Sequence, residues 1–282
     1  MQFKSPTSAL NRVRVFILRL LHLLFGRSHL VQDGAVNFVR DSRMSLDMSF
    51  DGFESDTQLL ASLLSDRDRG IGLDVGANPG LWSLALVNCS SQIYAFEPDP
   101  EVRALLEINL SYNPDLAQKI EVSRFAISDR SEVSRLYVRR SLDNLGRVNN
   151  GLSSLVRDST FVKHSVPVTT ISLDEFTHLR SLRISWIKID VEGLELKVLQ
   201  GAQETLLNFP YVVWEMLFDH ASDKEQQLST VMRAFPSGYS HFVPAGLSLK
   251  KVERSLISSI TDTNIFSLPN SLSNLWSSYV VS

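Results

Sequence analysis

The sequence predicts an α/β chain of Rossmann-like organisation: a mostly parallel sheet covered by helices on both faces. Three observations carry this. From residue 70 onward, short apolar strand patterns alternate with segments of helical period. The first of those strands runs into a glycine turn, IGLDVGANPGLWSLAL over 71–86. Several strands also end on an acid, namely Asp74, Glu97, Asp190 and Glu215. Ligands of open α/β sheets sit beyond the carboxyl ends of the strands, so Asp74, Glu97 and Asp190 are expected around one crevice.

Composition narrows the classes. A chain of 282 residues can bury a sizeable core. With 28 basic and 31 acidic residues the net charge is −3, which gives no global field for nucleic acid. The single cysteine, Cys89, excludes an intrachain disulfide and suits a reducing, cytoplasmic setting; inside an apolar helix-like run it reads as a buried spacer. No cysteine and histidine spacing suggests zinc, and no run of ~18 apolar residues suggests a membrane span.

Residues 1–55 read as an extension. Within it, residues 12–27 set Arg12, Arg14, Arg19 and Arg27 about a strongly apolar stretch. This is either an interfacial helix in peripheral contact with anionic lipid, or a helix docked on the core with its arginines reaching solvent. The docked reading is preferred, because interfacial helices show a cleaner polar face. Asp33-Gly34 and Asp51-Gly52 mark turns around short strands, and Thr57 to Leu64 has the period of a packing helix.

Leu73 to Val75 end the first core strand; Gly76, Pro79 and Gly80 force a tight loop; Leu81 to Leu86 resume a helix. A dinucleotide loop, G-x-G-x-x-G, needs its second glycine for approach of a pyrophosphate. Here Asn78 holds that place and Gly80 comes one position early, which weakens a nicotinamide reading. S-adenosylmethionine (SAM) carries no phosphate, so an acid and a few backbone amides suffice. Asp74 would serve its ammonium directly or through water, and the amides of the loop and helix start its carboxylate. The second strand, Ile93 to Phe96, delivers Glu97 at 23 residues beyond Asp74, close to the ~20 at which such folds place the acid that grips a ribose diol.

Four separated segments now carry a resemblance: Asp74-Val75-Gly76-Ala77-Asn78-Pro79-Gly80, Phe96-Glu97-Pro98-Asp99-Pro100, Ile187-Lys188-Ile189-Asp190-Val191-Glu192-Gly193, and Val198-Leu199-Gln200-Gly201-Ala202. In this order and spacing, over roughly residues 70 to 215, the chain resembles the FkbM family of SAM-dependent methyltransferases. The resemblance implies a class I methyltransferase fold over residues 56–270, with a mostly parallel seven-stranded sheet and an antiparallel edge strand. It also implies SAM as cofactor and O-methylation of a hydroxyl on a sugar, glycan or secondary metabolite. The cofactor set read here is Asp74, Gly76, Ala77, Asn78, Gly80, Glu97, Pro98, Ala126, Ser128, Asp129 and Asp190.

Downstream, Asp99-Pro100-Glu101 opens a helix that runs to about Leu110 and stops before Asn113-Pro114. Ile120 to Phe125 forms a third strand whose end, Ala126 to Asp129, would lie beside the adenine. Asn149-Asn150-Gly151-Leu152-Ser153-Ser154-Leu155 resembles the family's Asn-x-Gly-x-Ser-Leu loop, with one extra serine, and would overhang the cofactor. An exposed turn is the plain alternative. Val166 to Thr170 is a strand, Ser172 caps a helix from Leu173, and Ile184 to Ile189 is a central strand ending on Asp190. Glu192 and Glu195 follow where negative charge favours a helix start. Tyr211 to Glu215 is the next strand, and His220 lies just beyond it.

Methyl transfer to a hydroxyl needs alignment and a proton acceptor, and Asp190, Glu192, Glu215 and His220 are the candidate bases. A divalent ion on Asp190, Glu192 and Glu215 is the weaker reading, because acids at helix starts are common without one. A rival function is a SAM-fold protein that transfers nothing and serves as a membrane-attached or partner-binding module. Ser222 to Phe235 reads as a helix, Tyr239 to Val243 and Ile265 to Leu268 as the last strands, and residues 271–282 as a loose tail or interface element.

Overall fold

A computed structural model describes residues 28–33, 36–41, 55–65, 67, 69–139, 141–142, 148–149, 155, 162–218 and 223–281. The basic and apolar segment over 12–27, the loop 150–154 and His220 lie outside the described residues.

The central sheet is built from nine strands: β1 (Ile71–Val75), β2 (Gln92–Phe96), β3 (Ile120–Ser123), β4 (Ile184–Ile189), β5 (Tyr211–Met216), β6 (Tyr239–Ala245), β7 (Ser248–Lys251), β8 (Thr263–Pro269) and β9 (Val280–Val281). Their spatial order is β9-β7-β6-β8-β5-β4-β1-β2-β3. The five from β3 to β5 run parallel; β8 pairs antiparallel with both β5 and β6. Strand order reverses between β1 and β4, the switch point where such sheets bind ligands. The expected seven strands are present, with two differences. The antiparallel strand β8 stands inside the sheet, and β7 and β9 extend that side beyond it. The C-terminal segment is packed: Trp276 is buried, its indole N–H donates to the Pro269 carbonyl at 3.0 Å, and Val280–Val281 pairs with β7. Apolar residues at Trp276, Tyr279 and Val280 outweigh the serines around them.

Helices cover both faces: α1 (Ser55–Ser65), α2 (Leu81–Leu86), α3 (Pro100–Ser111), α4 (Leu173–Arg180), α5 (Glu195–Gln200) and α6 (Lys224–Met232). The two faces follow from the period of 2 along each strand. On one, Trp186, Tyr211 and Val213 pack under Leu59, Leu60 and Leu63 of α1 and Trp82 of α2. On the other, Ile187, Ile189, Val212 and Trp214 pack with Phe176 of α4, Val198 of α5 and Leu228 of α6. Caps fix the helix starts: Asp99 accepts from the Glu101 amide, Ser172 from Glu175 and Asp223 from Gln226. Beyond β3 the chain leaves the sheet at Arg124, earlier than the expected Phe125. Ala126–Ile127 then joins a small separate sheet with Val162–Ile171 and Val133–Arg139.

Candidate active site

The glycine loop is held from both sides. The Gly76 and Ala77 amides both donate to the Phe96 carbonyl, at 3.0 and 2.9 Å, and the Asn109 side-chain amide of α3 donates to the Pro79 carbonyl at 2.8 Å. Gly76 has φ 76°, and a Cβ there would lie 1.8 Å from the Asp190 carbonyl oxygen, so both conformation and space demand glycine. Gly80, at φ 88°, turns the chain into α2.

Glu97, at the end of β2, is buried. Its Oε2 accepts from the Asn78 amide at 2.9 Å and its Oε1 from the Asp99 amide at 2.8 Å. Burial pushes the carboxyl up to about 7, against the pull of those amides. One acid thus ties the glycine loop to the α3 cap.

A crevice with about 640 Å³ of empty space, part of it open to solvent, lies over the carboxyl ends of β1, β2 and β4. Gly76, Asn78, Glu97, Pro98, Ala126, Asp190 and Glu192 line it, together with apolar Phe125, Ile127, Leu136 and Leu155. The remaining residues expected at the cofactor do not reach the crevice. Ala77 is buried behind the loop and Gly80 abuts Leu106. Ser128 donates to its neighbour Asp129, and its carbonyl packs against Gly201, where a Cβ would come to 2.2 Å. Neither Ser128 nor Asp129 lines the crevice.

Asp74 also departs from expectation. It has no exposure; its Oδ2 accepts from Ser83 at 2.6 Å and its Oδ1 has no hydrogen-bond partner. Burial raises its pKa, countered by the charge of Lys188. Direct contact with a ligand ammonium does not fit a carboxylate in that position. Lys188 is the group that spacing alone did not single out. It sits in a strand otherwise apolar but for Ser185, two residues before Asp190, hence on the same face, and is 4% exposed. Its Nζ donates to Asp190 Oδ2 at 2.7 Å and stands 5.6 Å from the Trp82 ring centroid. Burial pulls the ammonium down, but Asp190, Asp74 and Glu215 outweigh it and hold it above its ordinary value. Asp190 is correspondingly depressed, burial being overcome by Lys188.

Carboxylate oxygens of Asp190, Glu192 and Glu215 converge to within 4.8 Å of one another. Glu215 is pushed up to about 9, by burial first and then by the charge of Asp190. The Lys188 ammonium, 2.7 Å from Asp190, offsets part of the negative charge of the trio. Glu195 is buried and turned inward, accepting from the Val191 and Gly193 amides at 3.1 and 3.2 Å. Among the described residues no helix is long and apolar enough to cross a membrane.

Comparison with curated proteins returned no match. Among solved structures, a methyltransferase FkbM from Methylobacillus flagellatus is 16% identical with a TM-score of 0.46; the likeness covers 71% of this chain and 43% of that one. This chain therefore spans less than half of that protein. A SAM-dependent O-methyltransferase from Thermotoga maritima is 12% identical, with a TM-score of 0.39 over 86% of this chain and 78% of its own. A putative O-methyltransferase from Klebsiella pneumoniae is 10% identical, with a TM-score of 0.44 over 79% and 83%. The decisive likeness is in sequence: the methyltransferase FkbM domain matches residues 74–240, more than half of the chain and inclusive of the glycine loop, Glu97 and the Asp190 carboxylate cluster. On that match the chain belongs to the FkbM methyltransferase family.

Proposed function

We propose that this chain is a SAM-dependent methyltransferase that methylates a hydroxyl of a sugar, glycan or secondary metabolite. The residues present fit the cofactor. Gly76 keeps one wall free of a side chain, the Glu97 carboxylate retains lone pairs beyond those taken by two amides, and Phe125, Ala126 and Ile127 offer an apolar slot for a purine. When bound, SAM supplies an electrophilic methyl on a sulfonium centre.

The rest of the chemistry falls to the protein. Glu97 holds the ribose diol, and the loop from Gly76 to Gly80 sets the depth of the ligand. Asp74 acts at one remove, steadying Lys188 and Ser83 behind the loop. Asp190 and Glu192 face the crevice, and an ionised Asp190 Oδ can take the proton of an acceptor hydroxyl while Lys188 holds that carboxylate in place. Alignment of acceptor oxygen and methyl group is the larger part of the task.

The observation that carries the reading is Glu97: a buried carboxylate at the end of β2, built into the loop and facing the crevice. Equilibrium dialysis of labelled SAM tests it. Wild type should bind, while Gly76→Val and Glu97→Ala, still folded by circular dichroism, should not; undiminished binding by both variants would remove the assignment.

A further inference from the structure

Glu97, Pro98 and Asp99, in the turn between β2 and α3, form one wall of the cofactor crevice. The turn is short of its own donors, because Pro98 and Pro100 carry no N–H. The hydrogen-bond ladder of α3 begins at the Asp99 carbonyl, which accepts from the Arg103 amide at 2.8 Å, so the Glu97 and Pro98 carbonyls fall outside it. The Arg103 side chain reaches back over this first helical turn to meet them. Its Nη1 donates to the Glu97 carbonyl at 2.8 Å and to the Pro98 carbonyl at 3.0 Å. The Glu97 carboxylate is held by the Asn78 and Asp99 amides, and Arg103 holds the backbone that carries it. Arg103 does not line the crevice. It lines a separate groove that shares Pro98 with it, so the side chain acts from behind the wall. Its positive charge also favours the ionised form of the Glu97 carboxyl.

Resting on the assignment of Glu97 to the ribose, we propose that Arg103 is a positioning residue of the cofactor site: its guanidinium pins two successive carbonyls and thereby sets where the Glu97 carboxylate stands. The role calls for arginine. A lysine ammonium brings the same charge on a flexible stem, without the fixed plane that suits a bridge between neighbouring carbonyls. Charge and geometry are therefore separable by substitution. Arg103→Gln removes the charge and keeps a donor, whereas Arg103→Lys keeps the charge and loses the bridge.

Calorimetric titration with SAM between pH 6 and 8, on variants with wild-type circular dichroism, tests this whichever compound is the acceptor. Arg103→Gln should bind on the order of tenfold more weakly at pH 7. The pH midpoint of its binding should also rise by about half a pH unit, because the Glu97 carboxylate has lost a nearby cation. Arg103→Lys should keep the wild-type midpoint and bind about threefold more weakly. Arg124→Gln removes the same charge from an exposed side chain of the same groove and should match wild type. Wild-type affinity in Arg103→Gln overturns the proposal. So does weaker binding with an unmoved midpoint, which is what a merely structural arginine would give, or an equal loss in Arg124→Gln. A second arm needs no cofactor. At pH 8, Arg103→Gln should lower the urea midpoint more in the wild-type background than in Glu97→Gln; at pH 5, where the Glu97 carboxyl is neutral, the two shifts should be alike. Equal shifts at pH 8 also overturn the proposal. Failure of the wild type to bind SAM would remove the cofactor reading, while the urea comparison still decides whether Arg103 holds Glu97, so the two ideas fail separately.

Discussion

The pH dependence of cofactor binding follows from Glu97. Its carboxyl titrates at about 7 because it is buried, and two amide donors do not fully restore its charged form. Gripping a diol as a double acceptor requires the carboxylate. With a pKa of about 7, roughly one-tenth of molecules are competent at pH 6 and nine-tenths at pH 8, so SAM should bind about tenfold more weakly at pH 6. An ordinary glutamate would produce no change over that range. Glu97→Gln should bind weakly at both pH values and lose this titration, which separates the protein's contribution from ionisation of the ligand's own amino group. Isothermal titration calorimetry on both proteins is the assay. The sign for stability is opposite. A carboxyl raised from 4.5 to about 7 contributes stability that is fully present below pH 4.5 and is lost as pH rises through 7. The difference amounts to about 3 kcal/mol. Urea melts of the wild type minus those of Glu97→Gln should reveal a decline of that order between pH 4.5 and 8. A wild type whose affinity ratio between pH 6 and 8 equals that of Glu97→Gln would refute the reasoning.

Three further outcomes are expected. Gly76→Ala should abolish SAM binding and destabilise well beyond the ~1–2 kcal/mol of left-handed strain, because its Cβ meets the Asp190 carbonyl at 1.8 Å. Gly193→Ala, at φ 92° with nothing within 4 Å, should cost only that strain, so similar denaturant midpoints for the two would contradict the steric argument. Lys188→Met should destabilise by about 3–5 kcal/mol, since it strands Asp74 and Asp190 without their cation; a loss under about 1 kcal/mol in urea would show that the pair is not a buried one. Trp276→Ala should cost about 3–5 kcal/mol by thermal melting, because the ring is buried edge-on against Phe242 and its N–H is bonded; an unchanged melting temperature would mean the C-terminal segment is dispensable.

The sheet was readable because its strands are short, apolar and bounded by glycine, proline and acids, and because the spacing from Asp74 to Glu97 matches one helix between two parallel strands. Gly76, Asn78, Glu97, Pro98, Ala126 and Asp190 line the crevice. The sequence pattern did not reveal which strand-end acids face outward. Asp74 sits one residue inside its strand, level with Lys188, where α2 closes over it through Ser83, while Asp190 lies just beyond its strand and stays 30% exposed. Lys188 was visible as the charged residue in a mostly apolar strand, but its meaning depends on Asp74 and Trp82 across the fold. The C-terminal strand was hidden because two residues carry too little pattern, and the register that pairs Val280 with Leu249 is a tertiary fact.

The close approach of Gly76 to the Asp190 backbone joins two parts of the site that adaptation would otherwise adjust separately. The glycine turn leans on the segment that carries Asp190, so a shift in one is transmitted to the other without a flexible intermediate. A substitution within residues 76–80 is therefore felt at residues 190–193, and the reverse.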